Sequence, residues 1–315
     1  MTRVTLNEIR AAARRIAPYV HRTPVMASEL INREAGCDIL FKCENLQKVG
    51  AFKARGAHNA VLCLGEQQRS AGVATHSSGN HAAALALAAS RFGIPAYIVM
   101  PDNAPAAKVA AVRAYGGDIT FCDATQAARE STLEAVCRRS GATFIPPYDH
   151  ADVIAGQGSC ALELAEQLAP SPDFLLIPVG GGGLLAGCAI ASQKLLPRTR
   201  VIGVEPAGAD DARRGFVSGR WQPQLAPDTV ADGLRTSLGR LNFDLISRHV
   251  DDILCADDRA IIHATRLIWT RMKLVVEPSA AVGLAVVLSH AGCFAGQRVA
   301  IVLSGGNVDI DQLPW

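Results

Sequence analysis

Val73-Ala74-Thr75-His76-Ser77-Ser78-Gly79-Asn80-His81, followed by the Ala- and Leu-rich run from Ala82 to Arg91, is the stretch from which the fold is read. Residues 73–76 are a short apolar strand, and the run from 82 to about 91 is a helix. Between them stand five small or polar residues in succession. Strand, small polar turn and helix in that order leave the first amides of the helix free, aimed at whatever lies above its N-terminus. That is an anion site, although a plain N-cap uses the same residue types.

Working outward, the same unit recurs. Ala96–Met100 is a strand ending at Pro101, 105–115 a helix, Asp118–Cys122 a strand, 124–139 a helix carrying Arg129, and Thr143–Ile145 a strand. This βαβα alternation predicts a parallel sheet wrapped by helices. The segment 146–158, PPYDHADVIAGQG, is rich in turn formers and is expected to cross to another domain. A helix over 159–168 and a strand over 174–179 then lead to Gly180-Gly181-Gly182-Gly183 and a helix over 184–196. A tight turn explains one or two glycines, not four. Four let the backbone approach a ligand, and the free amides and helix dipole suit a phosphate. Strands follow at Val201–Val204, ending in Glu205, and at Val299–Leu303, ending in Ser304-Gly305-Gly306-Asn307. The stretch 208–240 is weakly patterned, helix 257–272 follows it, and Glu277-Pro278-Ser279 opens another apolar helix.

At 315 residues and 49% hydrophobic content, the chain is long enough for two domains sharing a cleft. Net charge is +2, from 31 basic and 29 acidic residues, with no basic stripe for nucleic acid and no apolar run long enough for a membrane helix. Nine scattered cysteines, none spaced C-x-x-C, speak against a disulfide framework or zinc site and suit a cytoplasmic setting. The N-terminus carries Arg3, Arg10, Arg14 and Arg15, but Thr5–Glu8 fits a capping box and Ile9, Ala12, Ala13 and Ile16 follow at helical spacing. An ordinary first helix is expected there, not a targeting signal.

Glu44–Gly56, ENLQKVGAFKARG, places Lys53 at a loop-to-helix junction beside Phe52. A lysine held in such a site loses its proton near neutral pH and attacks carbonyls. On its own the stretch serves a solvated helix lysine better. Elsewhere, Ser77–His81, the glycine run, Glu205 and Ser304 all follow strand ends, where open α/β sheets bind ligands. A reactive lysine, a phosphate cradle, a second anion turn and a serine in one cleft suit pyridoxal 5′-phosphate, which has an aldehyde, a phosphate and a ring nitrogen. The competing reading is a dinucleotide enzyme, since Gly181-x-Gly183-x-x-Ala186 with Glu205 matches that fingerprint. It leaves Lys53 and Ser304 without roles. No G-x-S-x-G, H-E-x-x-H or Walker A motif is present.

Over residues 5 to about 310 the chain resembles the fold-type II pyridoxal-phosphate enzymes, in the serine/threonine dehydratase and serine racemase group that includes hydroxyaspartate dehydratases. Gly50–Gly56 is similar to that family's lysine motif, Ser77–His81 to its carboxylate loop, Gly180–Gly183 with Leu184 to its phosphate loop, and Ser304–Asn307 to its ring-nitrogen segment. Val153–Gly158, Glu205-Pro206 and Ala231-Asp232-Gly233 extend the match.

The resemblance implies an α/β fold of two open twisted domains with the cofactor in the cleft between them. The large domain would be 1–67 and 149–315, the small one 68–148, without the regulatory C-terminal domain of some threonine dehydratases, and the assembly a homodimer. Lys53 would carry the cofactor covalently and take the Cα proton; Phe52 and Gly233 would lie at the ring, Asn80 at its 3′-oxygen, Gly180–Leu184 at the phosphate and Ser304 at the ring nitrogen. Ser77, Ser78, Gly79, Asn80 and His81 would hold the substrate carboxylate. Ser78, on the ring face opposite Lys53, would be the acid–base group for racemisation. The implied reaction is dehydration and deamination of L-serine, L-threonine or 3-hydroxyaspartate to a 2-oxo acid and ammonia, with a racemase as the alternative. A non-catalytic protein that kept the fold would not need Lys53, Ser78 and Ser304 intact.

Arg129 matches a position that reaches a distal substrate group, where it would suit a second carboxylate; a solvated helix arginine is the other reading. Glu205, the carbonyl of Ala209 and Asp211 match a divalent-cation site for Mg²⁺, Ca²⁺ or Mn²⁺. Their spacing alone favours solvated loop acids, and the resemblance reverses that. The chain departs from the family pattern at Ala51, usually serine, and at Ala82-Ala83, which puts a nucleotide-activator site in doubt. Tyr148 stands at a variable position.

Overall fold

In the computed structural model, described for residues 4–315, the chain forms two sheets. Arg3 lies outside the described residues. The larger sheet contains β1 (Val25–Met26), β2 (Asp38–Cys43), β7 (Phe174–Pro178), β8 (Arg200–Pro206), β9 (Asp252–Ala256) and β10 (Arg298–Leu303), in the order β1-β2-β10-β7-β8-β9. Only β1 runs antiparallel. The smaller sheet is wholly parallel: β3 (Val73–His76), β4 (Ala96–Pro101), β5 (Asp118–Cys122) and β6 (Thr143–Phe144), in the order β5-β4-β3-β6.

The strands read as continuous apolar runs because both faces of each sheet are covered. In β10, Val299, Ile301 and Leu303 face one core while Ala300 and Val302 face the other. The first core is closed by helices Glu29–Ala35, Asp258–Leu267 and Pro278–Ser289, the second by Leu6–Ile16, Ala151–Gln167, Gly183–Leu195 and Arg240–His249. The capping box expected at Thr5–Glu8 is present, Ile9 and Ala12 point into the second core, and Ile16 is buried.

The expected crossing loop over 146–158 is corrected by the structure. Helix begins at Ala151 and runs unbroken to Gln167, so Gly156 and Gly158 are helical. They are glycine because three helices approach backbone to backbone. A Cβ on Gly156 would lie 2.7 Å from the Arg55 carbonyl oxygen, and one on Gly158 would lie 2.8 Å from that of Gly187. Turn propensity and close helix packing select the same residue. The helix expected over 257–272 ends at Leu267 and closes with a π-helical turn, Ile268–Met272.

Helix Lys53–Cys63 joins the two halves. Ala54, Ala57, Ala60 and Val61 share a core with Val73, Ile98 and Met100 of the smaller sheet and with helix Asn80–Ser90. Gly56 meets helix Ala151–Gln167, where a Cβ would sit 2.8 Å from the Val153 carbonyl oxygen. Lys53 is the first residue of this bridging helix.

Candidate active site

Parallel strands place all their carboxyl ends on one edge, which brings the polar residues after β3, β7, β8 and β10 to the same side of each sheet. The lysine loop is bound directly to the end of β10. Ala51 forms a bridge with Gly305, the Phe52 amide donates to Ser304 O at 3.0 Å, and the Gly306 amide donates to Gly50 O at 2.9 Å. Gly50 has φ +68°, and a Cβ there would fall 2.7 Å from Asn307 Oδ1. Residues about 250 positions apart thus form one wall. Ser304 is buried at the end of β10.

Lys53 Nζ donates to the Pro147 carbonyl at 2.6 Å and lies 5.1 Å from the Phe52 ring centre and 5.8 Å from that of Tyr148. Burial brings its amine down to about 8, against the opposing charge of Glu277. A substantial neutral fraction is therefore present near pH 7–8, which a nucleophilic amine requires.

Gly180–Leu184 are buried between β7 and the helix they start. Gly182 has φ +87°. The Asn242 side-chain amide donates to Gly181 O at 2.6 Å and the Gly239 amide donates to the same oxygen at 3.2 Å, fixing the loop. The helix has no side-chain cap, so its first amides are left for a ligand. A Cβ on Gly180 would lie 3.1 Å from Gly233 O, and one on Gly181 would overlap the Tyr148 ring. Gly233 is itself held by its amide donating to Ser279 Oγ at 2.9 Å.

The turn after β3 is built as an open N-terminus. The Ser77 amide continues the β4 ladder, the Gly79 amide donates to Ser77 Oγ at 3.4 Å, and helix Asn80–Ser90 starts without a side-chain cap. The His81 ring turns inward, with Nε2 3.0 Å from Ile145 O, and burial and the Lys53 charge hold it neutral, down to about 3. It therefore offers a substrate only its backbone. Asn80 Nδ2 donates to Glu277 at 3.0 and 3.2 Å, and Asn80 Oδ1 accepts from Asn307 Nδ2 at 2.9 Å. A cavity of about 630 Å³ opens here, lined among others by Gly79, Asn80, Lys108, Asp232, Glu277 and Asn307. Lys108 and Asp232 form an ion pair at 2.6 Å.

Sequence reasoning missed one residue and left another without an assigned contact. Glu277 is buried beside Asn80, and burial followed by the charge of Asp232 raises its carboxyl to about 7. A Glu before Pro at a helix start reads as an ordinary cap, which hid it. Tyr148, a variable position in the sequence reading, packs its ring against Gly181, with the ring centre 5.8 Å from Lys53 Nζ. Arg129 lies on helix Gln126–Ser140, close enough to His76 to lower that imidazole further, and its buried Nε has no hydrogen-bond partner.

Glu205, at the end of β8, accepts from the amides of Ala212 (3.2 Å) and Arg213 (2.8 Å). Asp211 Oδ2 accepts from the Leu238 amide at 2.8 Å, while Asp211 Oδ1 is buried without a partner. Burial raises both carboxyls, Asp211 to about 6, and the Asp211 charge adds to the rise at Glu205. Two buried acids and one orphaned oxygen fit a hard divalent cation.

Residues 16–305 match the family model described as pyridoxal-phosphate dependent enzyme. The chain belongs to that family, and pyridoxal phosphate is its cofactor; the dinucleotide reading is set aside. The glycine cradle, the buried lysine and the neutral Ser304 fit that cofactor. Among similar proteins, the beta-hydroxyaspartate dehydratase of Paracoccus denitrificans is 47% identical over 311 residues, covering 99% of this chain and 98% of the relative. The serine racemase of Arabidopsis thaliana is 47% identical over 310 residues, covering 97% and 93%. The structure of maize serine racemase superposes with a TM-score of 0.95 at 45% identity, covering 98% of this chain and 95% of the other. Among the described residues no helix is long and apolar enough to cross a membrane.

Proposed function

We propose that this enzyme is an ammonia-lyase that dehydrates and deaminates a small β-hydroxy amino acid, with 3-hydroxyaspartate favoured over L-serine and L-threonine. The observation that carries the reading is the joining of the Lys53 loop to Ser304 through Phe52. When bound, the cofactor withdraws electrons from the Cα of its amino acid and so acidifies the Cα proton.

Lys53, its amine brought down to about 8 by burial, would hold the cofactor at rest and then take up that proton. Ser304 presents a neutral hydroxyl to the ring nitrogen, where a carboxylate would keep it protonated. Electron withdrawal is then shallower, and negative charge leaves with the β-hydroxyl instead of accumulating. The released enamine hydrolyses to a 2-oxo acid and ammonia. Gly180–Leu184 would hold the phosphate, Phe52 and Gly233 would lie at the ring, and Asn80, which bonds to Glu277 and Asn307, would serve the 3′-oxygen. The amides of Ser77–His81 hold the α-carboxylate.

The dicarboxylate preference is the reading in which Arg129 pairs with a second substrate carboxylate, and it agrees with the hydroxyaspartate dehydratase relative. The same site supports racemisation through Ser78 as a second activity, in line with the serine racemase relatives. The cleft lies between units divided near 68 and 148, and the enzyme acts as a cytoplasmic homodimer; nine unpaired cysteines suit a reducing compartment. An assay of 2-oxo acid and of product chirality across serine, threonine and the four hydroxyaspartate stereoisomers tests the reading. Oxo acid from a hydroxyaspartate isomer at the highest kcat/KM is expected; no oxo acid from any of them would refute it.

Glu205, the Ala209 carbonyl and Asp211 hold Mg²⁺ in this reading and stabilise the larger sheet. Acids whose folded pKa is raised cost stability as pH rises from the unfolded value through the folded one. For Asp211 that window runs from 3.8 to about 6. Thermal melts with Mg²⁺ and with chelator are therefore expected to differ most above about pH 6. The gap should close as pH falls toward 4. Coincident melts at pH 7.5 would count against the cation.

A further inference from the structure

The mechanism leaves unused a group of buried charges behind the active-site wall. Arg55 follows Lys53 by two residues, about 200° further round the helix, and is fully buried on the side away from the cleft. Its Nε and Nη2 donate to the two oxygens of Glu44 at 2.7 and 2.8 Å. Its Nη1 and Nη2 donate to the two oxygens of Glu163 at 2.8 and 2.9 Å, and Nη1 also reaches Ser159 Oγ at 3.1 Å. Lys42 balances the second acid: its Nζ donates to Glu163 Oε2 at 2.7 Å, Gln167 Oε1 at 2.9 Å and Thr23 O at 2.8 Å.

These partners belong to different elements. Glu44 follows the end of β2, and Ser159 and Glu163 lie on helix Ala151–Gln167. The helix opened by Lys53 has no side-chain cap at Phe52; its start is held by the Phe52 amide's bond to Ser304 O, and Arg55 is the first-turn side chain that ties it to other elements. Gly56, whose amide donates to Gln157 Oε1 at 3.2 Å, removes the side chain that would keep the two helices apart and lets Arg55 reach both acids. A buried ion network is a poor source of net stability but a strong constraint on geometry, because only one arrangement satisfies every donor.

We propose that Arg55 is a positioning residue: gripped by Glu44 and Glu163, it locks the turn that carries Lys53 and so sets where the lysine nitrogen stands in the cleft. Lysine at this position keeps the charge but loses the planar fork that serves two carboxylates at once. This inference rests on Lys53 being the residue that carries the cofactor.

The test compares the cofactor-loaded wild type with Arg55→Lys and with Ile261→Val, a core substitution in the larger unit chosen to lower stability without touching the clamp. Three quantities are read: the circular dichroism of the visible cofactor band per unit absorbance, kcat and KM, and the peptide to which borohydride fixes the cofactor. Arg55→Lys is expected to lower the dichroism ratio by about twofold or more and kcat by about 10²-fold, as for a reacting group displaced by an ångström, with KM changed by less than about twofold. Ile261→Val should change neither ratio nor kcat. An unaltered ratio and kcat in Arg55→Lys, with the cofactor fixed to Lys53, would overturn the clamp and leave the proposed function standing. Cofactor fixed to another lysine in the wild type would overturn both. If Arg55→Lys does not fold, Glu163→Gln, which leaves the Glu44 pair intact, is read in the same way with the same deciding outcomes.

Discussion

Lys53→Ala is expected to abolish both the visible absorbance of the purified enzyme and its turnover, by on the order of 10⁴-fold or more for every substrate. Two functions are lost together, the covalent hold on the cofactor and the base that removes the Cα proton. Loss of fold does not explain the effect. An amine lowered from 10.5 to about 8 by burial costs stability at every pH below its unfolded value, and the full cost is present once pH drops below about 8. Alanine removes that cost at pH 7, though it also forfeits the bond to Pro147 O. The variant should therefore melt no lower than the cofactor-free wild type. A colourless variant that also melts well below it would mean that the lysine is structural. The combination of lost chemistry and retained stability is what a site held against its own stability produces.

Ser78→Ala is expected to separate the two activities. Racemisation needs a proton delivered to the face of Cα opposite Lys53, and in the proposed reading Ser78, in the turn after β3, supplies it. Removing a positioned acid–base group costs about 10²–10⁴-fold. Elimination from an L-substrate needs only Lys53 on its own face and should fall by much less. Ser78 is a half-buried residue of the turn, outside every helix and strand, so the fold should be retained. Chiral analysis of recovered substrate and an oxo-acid assay on the same samples read both rates. Equal losses would remove the opposite-face role from Ser78.

Much of this architecture is legible in the chain because its signals are local. The apolar strands at β3, β4, β5 and β10, the glycine run, and the small residues after β3 and β10 each carry their meaning within a few positions. The candidate site residues Lys53, Ser78 and Ser304 are readable only as members of a set, since each alone fits a common alternative. Other features depend on contacts that no short window contains. Gly156 and Gly158 look like turn formers, and only the approach of Arg55 and Gly187 shows that they are helix contacts. Glu277 looks like a cap, and its raised carboxyl follows from burial beside Asp232 and Asn80. Tyr148 gains its place against Gly181 from a fold-back of the chain. Short elements were overlooked as well: β1, with two residues, the edge strand β9, and helices Glu29–Ala35, Glu66–Ala71 and Arg240–His249 lie where turn residues and mixed polarity mask the periodicity.

The central claim, that Lys53 carries the cofactor in a cleft closed by Ser304 and the glycine loop, is tested most directly by borohydride reduction of the native protein. Proteolysis and mass measurement then locate the added pyridoxyl group. The account predicts that the visible band is lost on reduction and that the group is found on the peptide containing Lys53, at one per chain. A protein that binds no pyridoxal phosphate, or a pyridoxyl group fixed to any other lysine, would contradict it.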